Sequence, residues 1–167
     1  LLSANHSCHL DAVSLLSLFP GRRLGRIRAV AAADYFERNR VVSWLTRTLF
    51  NTLPIARRGS PPASDPRAAM LEALGRGESL VLFPEGTRGA GADLGPFRTG
   101  VAYLVERRPE VPVVPAYLVN MGRSLPKGEF LPVPFFCEVR LGPPLHPRGT
   151  VAEVLATLEN AVRTLGA

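Results

Sequence analysis

The residues best suited to chemistry lie in two segments, residues 5–11 and 83–88. The first, Asn-His-Ser-Cys-His-Leu-Asp, places a potential general base, His6, five positions before a carboxylate, Asp11, that can orient it. The second, Phe-Pro-Glu-Gly-Thr-Arg, follows an apolar run and carries an Arg and a hydroxyl on a Gly-containing turn. A base with its orienting carboxylate and a separate anion site suit the transfer of a group to a hydroxyl of a phosphorylated acceptor.

The spacing of His6 and Asp11 restricts where they can meet. On a regular helix, residues five apart point about 140° away from each other. We therefore expect His6 on the turn before a helix and Asp11 in the first or second helical turn, where its carboxylate reaches Nδ1 and leaves Nε2 free to accept a proton. A capping or core histidine is the alternative. Cys8 is expected to pack as a small residue, because adjacent positions on a forming helix point apart.

Anion binding is predicted where the apolar run 80–83 ends, since ligands gather at the carboxyl ends of strands in open α/β sheets. Arg88 offers a guanidinium fork, Thr87 a hydroxyl and Gly86 a closely approachable backbone. Arg57 follows another short apolar run, so two arginines could converge on one dianion. The alternatives are an ordinary Pro-Glu-Gly turn with a solvated Arg88 and a surface Arg57 paired with a carboxylate.

The composition sets limits on the class of protein. At 167 residues the length suits one domain, and no stretch approaches the ~18 apolar residues that span a bilayer. The net charge of +6, with 19 Arg against a single Lys, favours anionic lipid headgroups or nucleic acid as partners. An Arg- and Ala-rich genome is the alternative cause of the Arg excess. Cys8 and Cys137 lack the spacing of a zinc site. Because the chain begins with Leu1 and the strand before His6 is cut short, we expect a piece of a longer polypeptide.

Alternating apolar runs and helical patterns predict an α/β domain, with the proline-bearing strands at the sheet edges and with Pro112 and Pro115 at tolerated strand ends or bulges. A capping box, Thr150 to Glu153, is expected to open the last helix. Its apolar face would carry Val151, Val154, Leu155, Leu158, Val162 and Leu165. The predicted strands are 27–32, 53–56, 79–83, 111–119 and 135–141. The predicted helices are 12–19, 34–50, 66–75, 99–107 and the one that starts at 151. The predicted loops are 60–64, 89–96 and 122–134.

Four ordered blocks resemble those of the glycerolipid acyltransferase family, best known for the lysophosphatidic acid acyltransferases. They are residues 5–11, 53–57, 83–88 and 111–115, and residues 96–100 also resemble the family's stretch before its next helix. The resemblance covers nearly the whole chain. It implies a single α/β acyltransferase domain over residues 1–167, with a central mixed β-sheet flanked by helices.

The resemblance also assigns roles to individual residues. It implies that His6 is the catalytic base, that Asp11 is its partner and that Pro115 shapes the acyl-donor side of the site. It places the acceptor phosphate against Arg57, Glu85, Gly86, Thr87 and Arg88. No cofactor is implied beyond an acyl-CoA or acyl-carrier protein thioester as co-substrate. No metal is expected either, because the three His and two Cys form no closed ligand set at familiar spacing.

The function expected from these residues and from the resemblance is acyl transfer to the free hydroxyl of a lysophospholipid, with lysophosphatidic acid as the best acceptor. The expected partners are the acyl thioester, the lysophospholipid and an anionic membrane surface at its cytoplasmic face, and not nucleic acid. Alternatives are a different acceptor, such as glycerol-3-phosphate, another lysolipid or an acylated amino acid, and a thioester hydrolase. A third alternative is a non-catalytic, basic module that binds a lipid surface or nucleic acid. Binding of nucleic acid is the weakest of these alternatives, because basic and aromatic residues are not interleaved.

Overall fold

A computed structural model describes residues 1–8, 10–32, 51–55, 65–87, 94–124, 133 and 135–167 of the chain. Its strands are β1 (Leu2–Ala4), β2 (Ile27–Ala32), β3 (Leu53–Ile55), β4 (Ser79–Leu82), β5 (Val114–Val119) and β6 (Glu138–Leu141). Its helices are α1 (Leu10–Ser17), α2 (Gly21–Leu24), α3 (Pro66–Gly75), α4 (Gly100–Arg107), α5 (Met121–Ser124) and α6 (Val151–Gly166).

The six described strands form one sheet in the order β3-β2-β4-β1-β5-β6. The first five run parallel, and β6 is antiparallel to β5. The short strand β1 lies inside the sheet, where Leu2 is in register with Val81 of β4 on one side and with Val114 of β5 on the other. The predicted mixed sheet is confirmed, and the chain that leaves β1 emerges between the carboxyl ends of β4 and β5.

Helices cover both faces of this sheet. On one face, α3, α4 and α6 bury an apolar cluster that includes Met70, Leu74, Leu80, Val101, Leu104, Leu158 and Val162. On the other, α1 and α5 contribute to a second cluster that includes Leu2, Cys8, Leu15, Leu16, Val81, Ala116, Leu118 and Met121. Strand residues alternate between the two clusters because successive side chains of a strand point to opposite faces. The sheet is therefore packed between two apolar layers.

The proline-bearing strands are only partly where the sequence predicts them. Pro54 lies in β3, at the end of the described strand order, as expected. The prediction is wrong for Pro115, because β5 lies between β1 and β6. The carbonyl of Pro115 accepts a hydrogen bond from Gly142 at 2.9 Å, so its nitrogen, which cannot donate, faces the β6 side. There the regular ladder ends and gives way to a bridge between Val113 and Leu145, which tolerates the missing donor.

Several local predictions are confirmed. Strand β2 has the predicted bounds, and α3 begins with Pro66 after Asp65, whose carboxylate accepts a hydrogen bond from the Arg67 amide at 3.0 Å. The capping box formed by Thr150 and Glu153 is present at the start of α6.

Other predictions differ in detail. Val151, expected on the buried face of α6, is 46 % exposed because it lies in the first turn; Val154, Leu158 and Val162 are buried. Helix α1 begins at Leu10, two residues earlier than predicted, and the one-turn helices α2 and α5 were not predicted. The predicted helix 34–50, the loop 60–64 and most of the loops 89–96 and 122–134 lie outside the described residues.

Candidate functional site

His6 and Asp11 form a hydrogen-bonded pair at the carboxyl end of β1. His6 lies two residues beyond the strand, and Asp11 lies in the first turn of α1. The distance from the imidazole Nδ1 to Asp11 Oδ2 is 2.8 Å. This is the arrangement predicted from the spacing. A carboxylate only accepts, so Nδ1 donates, and Nε2 is the acceptor nitrogen of the neutral ring.

The turn between the two residues folds around the Asp11 carboxylate, whose side chain is fully buried. The backbone amides of Ser7 and Cys8 donate to its Oδ2 at 2.6 and 2.9 Å, beside the bond from His6. A buried carboxylate is stable only when its charge is balanced by such donors. The two amides therefore fix the carboxylate in the position from which it orients the imidazole.

The face of the His6 ring is covered by Phe83, a contact that no pattern in the sequence predicts. The ring centroids lie 4.3 Å apart and the planes are inclined by 22°, which is a stacked arrangement. Phe83 follows the last residue of β4, the neighbour of β1 in the sheet. The imidazole is thus held at one nitrogen by Asp11 and along one face by Phe83, while 23 % of the His6 side chain is exposed.

Three of the residues predicted for the acceptor side, Glu85, Gly86 and Thr87, lie on the turn after β4. The turn is closed by a hydrogen bond of 3.0 Å from the Gly86 amide to the carbonyl of Phe83, and Gly86 has a φ of 70°. A positive φ there favours glycine. Gly86 and Thr87 are exposed, whereas Glu85 is buried. The backbone amide of His6 donates to Glu85 Oε1 at 2.9 Å, so the structure brings this turn directly against the histidine.

The remaining predicted site residues are placed elsewhere or not described. Arg57 and Arg88 lie outside the described residues. Pro115 is fully buried inside the sheet in register with Ser3, and a side chain on Gly142 would meet both Pro115 and Leu165 of α6. Pro115 therefore faces the α6 side and is not brought against the histidine. Its role on the acyl-donor side stays a prediction.

Cys8, next to this site, is a buried thiol. Burial, followed by the negative charge of Asp11, raises the pKa of Cys8 to about 11. The thiol is therefore neutral near pH 7, which fits the packing role predicted for it and not a nucleophile.

Neither a metal-ligand cluster nor a membrane-spanning helix occurs in the described part of the chain. Within those ranges, no three His, Cys, Asp or Glu side chains are placed to share a metal ion. Among the helices that the structure describes, none combines the length and the apolar character needed to cross a bilayer.

A family model described as Acyltransferase matches residues 1–119, which include His6, Asp11 and the turn after β4. The chain belongs to the glycerolipid acyltransferase family. The resemblance seen in the sequence blocks is thereby confirmed.

Individual relatives agree with this assignment. The chain is 30% identical over 125 residues to the chloroplastic 1-acyl-sn-glycerol-3-phosphate acyltransferase BAT2 of Brassica napus, covering 75% of this chain and 34% of that protein. It is 25% identical over 163 residues to 1-acyl-sn-glycerol-3-phosphate acyltransferase alpha of Homo sapiens, covering 96% of this chain and 54% of that protein. The chain therefore spans between about a third and about half of the length of these relatives.

A solved structure shows the same fold. It is the crystal structure of the 1-acyl-sn-glycerophosphate (LPA) acyltransferase PlsC from Thermotoga maritima. The match covers 98% of this chain and 62% of the PlsC chain, with a TM-score of 0.75 and 20% sequence identity. The predicted α/β class with a central mixed sheet is confirmed by this likeness and by the strand order.

Proposed function

We propose that this member of the acyltransferase family transfers a fatty acyl group from acyl-CoA or acyl-carrier protein to the free hydroxyl of a lysophospholipid. Lysophosphatidic acid is the proposed acceptor and phosphatidic acid the product. The observation that carries the proposal is the 2.8 Å hydrogen bond between His6 and Asp11 at the carboxyl end of the central strand. The names of the two curated relatives supply the acceptor class.

In the proposed reaction, His6 is the general base. Its Nε2 takes the proton of the acceptor hydroxyl as that oxygen attacks the thioester carbonyl carbon. Asp11 stabilises the imidazolium that forms, and it does so without becoming protonated. The tetrahedral intermediate then expels the thiolate, which recovers the proton from His6. The acyl group passes directly from sulfur to oxygen, and no covalent enzyme intermediate and no metal are required.

The acceptor phosphate is proposed to bind at the turn after β4 and at Arg57 and Arg88. The exposed Gly86 and Thr87 offer backbone and hydroxyl groups there, beside the buried Glu85 that contacts His6. A phosphomonoester with nearly two negative charges can accept two guanidinium forks together.

The proposed site of action is the cytoplasmic face of a membrane, with peripheral binding. Both the acceptor and the product are lipids, and the net charge of +6 favours an anionic surface.

A product analysis tests the function. The purified full-length protein is incubated with a panel of lysolipids and acyl thioesters, and products are identified by mass spectrometry. Wild type should form phosphatidic acid, and His6→Ala should lose about 10²–10⁴ in rate while remaining folded. Asp11→Asn should also be severe, because it removes the charge that stabilises the imidazolium.

His146→Ala is the matched control, because His146 is exposed and its ring contacts the carbonyl of Pro109 instead of a carboxylate. It should keep wild-type activity. Near-normal turnover by folded His6→Ala protein would refute the mechanism. Thioester loss at the same rate without any acceptor would identify a hydrolase instead.

A further inference from the structure

The carboxylate of Glu85 links two separate parts of the backbone around His6. Its Oε1 accepts the His6 amide and its Oε2 accepts the Gly95 amide, each at 2.9 Å. The residue is 7 % exposed. Glu85 is 79 positions from His6 in sequence, so this contact exists only because β4 and β1 are neighbours in the sheet.

The backbone carbonyl of the same residue is also bound to protein. It accepts a hydrogen bond from Arg98 Nε at 3.0 Å, while the Arg98 amide donates to the carbonyl of Pro84 at 2.8 Å. Gly95 also lies close to the Glu85 carboxylate: a Cβ atom added at Gly95 would lie only 2.9 Å from Glu85 Oε2. The segment from Gly95 to Arg98 is therefore packed tightly onto the turn that carries Glu85.

These contacts argue against a direct contact of Glu85 with the acceptor phosphate. Both carboxylate oxygens already accept a backbone amide. A carboxylate also carries the same charge as a phosphate, and like charges in a poorly solvated site repel each other. The negative charge is instead suited to two amide donors, because hydrogen bonds to an ionised acceptor are stronger than neutral ones.

We propose that Glu85 is a positioning residue that holds the backbone of His6 against the Gly95 segment. Asp11 fixes the His6 ring at Nδ1, Phe83 covers one face of the ring, and Glu85 fixes the main chain from which the ring extends. The catalytic consequence rests on the proposed function of His6, whereas the structural link does not. A displaced imidazole would reduce the rate of proton transfer without removing any group that binds the acceptor.

The two-oxygen geometry predicts how substitutions behave. Glu85→Gln keeps the shape but has one acceptor oxygen, so its NH₂ group must face either the His6 or the Gly95 amide, donor against donor. Glu85→Asp is one methylene shorter and cannot reach both amides. Gly95→Ala keeps the carboxylate and instead pushes the segment away from Oε2. All three variants should weaken the same link.

The first measurement is NMR of the backbone amides in the full chain. Wild-type His6 and Gly95 amide protons should resonate downfield. Glu85→Gln should shift both upfield, because the acceptor loses its charge, and should speed hydrogen exchange most at the amide that faces the NH₂ group. Glu159→Gln is the matched control, because Glu159 accepts the Phe97 amide at 2.7 Å in the same segment. It should move the Phe97 amide and leave His6 unchanged. Unchanged His6 and Gly95 amides in Glu85→Gln would overturn the proposal, whether or not the protein transfers acyl groups.

The second measurement separates positioning from acceptor binding. Glu85→Gln and Gly95→Ala should lower kcat by about ten- to a hundredfold while the acceptor KM changes less than about twofold. Gly100→Ala, where a side chain meets nothing within 4 Å, should behave as wild type. A rise in acceptor KM at unchanged kcat would show direct acceptor contact and overturn the proposal. If Glu85→Gln does not fold, Gly95→Ala decides by the same two readouts.

Discussion

The side-chain amide of Asn5 exchanges two hydrogen bonds with the backbone of Leu118. Its Oδ1 accepts from the Leu118 amide at 2.7 Å, and its Nδ2 donates to the Leu118 carbonyl at 3.2 Å. The last register pair of β1 and β5 is Ala4 with Ala116, so the side chain continues the ladder one step beyond the end of β1. The chain therefore leaves the sheet at a fixed point, one residue before His6.

Asn5→Asp should destabilise the protein, because the pair of hydrogen bonds to Leu118, which we call the Asn5 clamp, needs a donor as well as an acceptor. The Asp carboxylate can accept from the Leu118 amide, but its second oxygen then faces the Leu118 carbonyl. Leaving such groups unpaired costs about 1–3 kcal/mol. Urea unfolding near pH 7 measures the loss. Asn160→Asp, at an exposed position on α6, controls for the added charge. A loss no larger than that of the control would show that the clamp contributes nothing.

Gly86→Ala and Gly77→Ala separate backbone strain from side-chain crowding. Both glycines have a positive φ, 70° and 74°, where a side chain costs roughly 1–2 kcal/mol. A Cβ on Gly77 meets nothing within 4 Å, whereas one on Gly86 runs into the Arg98 side chain. The free energy of unfolding should therefore fall further for Gly86→Ala. In an Arg98→Ala background the excess should disappear; if it persists, Arg98 is not its cause.

The sequence predicted the contacts that are local and missed those that depend on the sheet. His6 and Asp11 are five positions apart, so the turn before a helix is enough to bring them together. The same holds for the Asp65 cap and the Thr150 capping box. Glu85 and Asn5 bind backbone groups 79 and 113 positions away, and no local pattern specifies those partners.

The mistaken position of Pro115 has the same cause. A proline shows that one backbone donor is missing, but whether this excludes an interior strand depends on the ladder beside it. Here the ladder between β5 and β6 ends where the Pro115 nitrogen faces it, which only the strand order and register reveal. Stacking of Phe83 on His6 likewise requires β4 and β1 to be neighbours.

Arg57→Ala or Arg88→Ala should raise the acceptor KM by about ten- to a hundredfold and barely change the donor KM. Losing a hydrogen bond to a charged group costs roughly 1.5–3 kcal/mol. Arg→Lys at either position should recover only part of the loss, because an ammonium cannot reproduce the guanidinium fork. Steady-state kinetics with lysophosphatidic acid and lysophosphatidylcholine test this. Equal use of both lipids, with unaltered acceptor KM in both variants, would refute the phosphate assignment.

Binding to anionic liposomes should weaken as salt rises. The chain has a net charge of +6, and a basic residue near an anionic surface contributes about 1 kcal/mol that salt screens over a Debye length. Co-sedimentation with vesicles of mixed anionic and neutral lipid, at increasing salt, measures the effect, and purely neutral vesicles are the control. Salt-independent binding to the neutral vesicles would point to apolar insertion and contradict an electrostatic attachment.

Cys8 should make the stability of the protein fall at alkaline pH. Burial and the Asp11 charge raise the pKa of its thiol from 9.0 to about 11. Because the folded pKa lies above the unfolded one, this contribution is complete below about pH 9 and is lost as pH rises towards 11. Two pKa units correspond to roughly 2–3 kcal/mol.

The difference in unfolding free energy between wild type and Cys8→Ala should shrink by up to that amount from pH 8 to 11. Cys137→Ala, which removes the other free cysteine, controls for the loss of a thiol. A difference between wild type and Cys8→Ala that stays constant over this range would show that the buried thiol ionises as readily in the folded protein as in the unfolded chain.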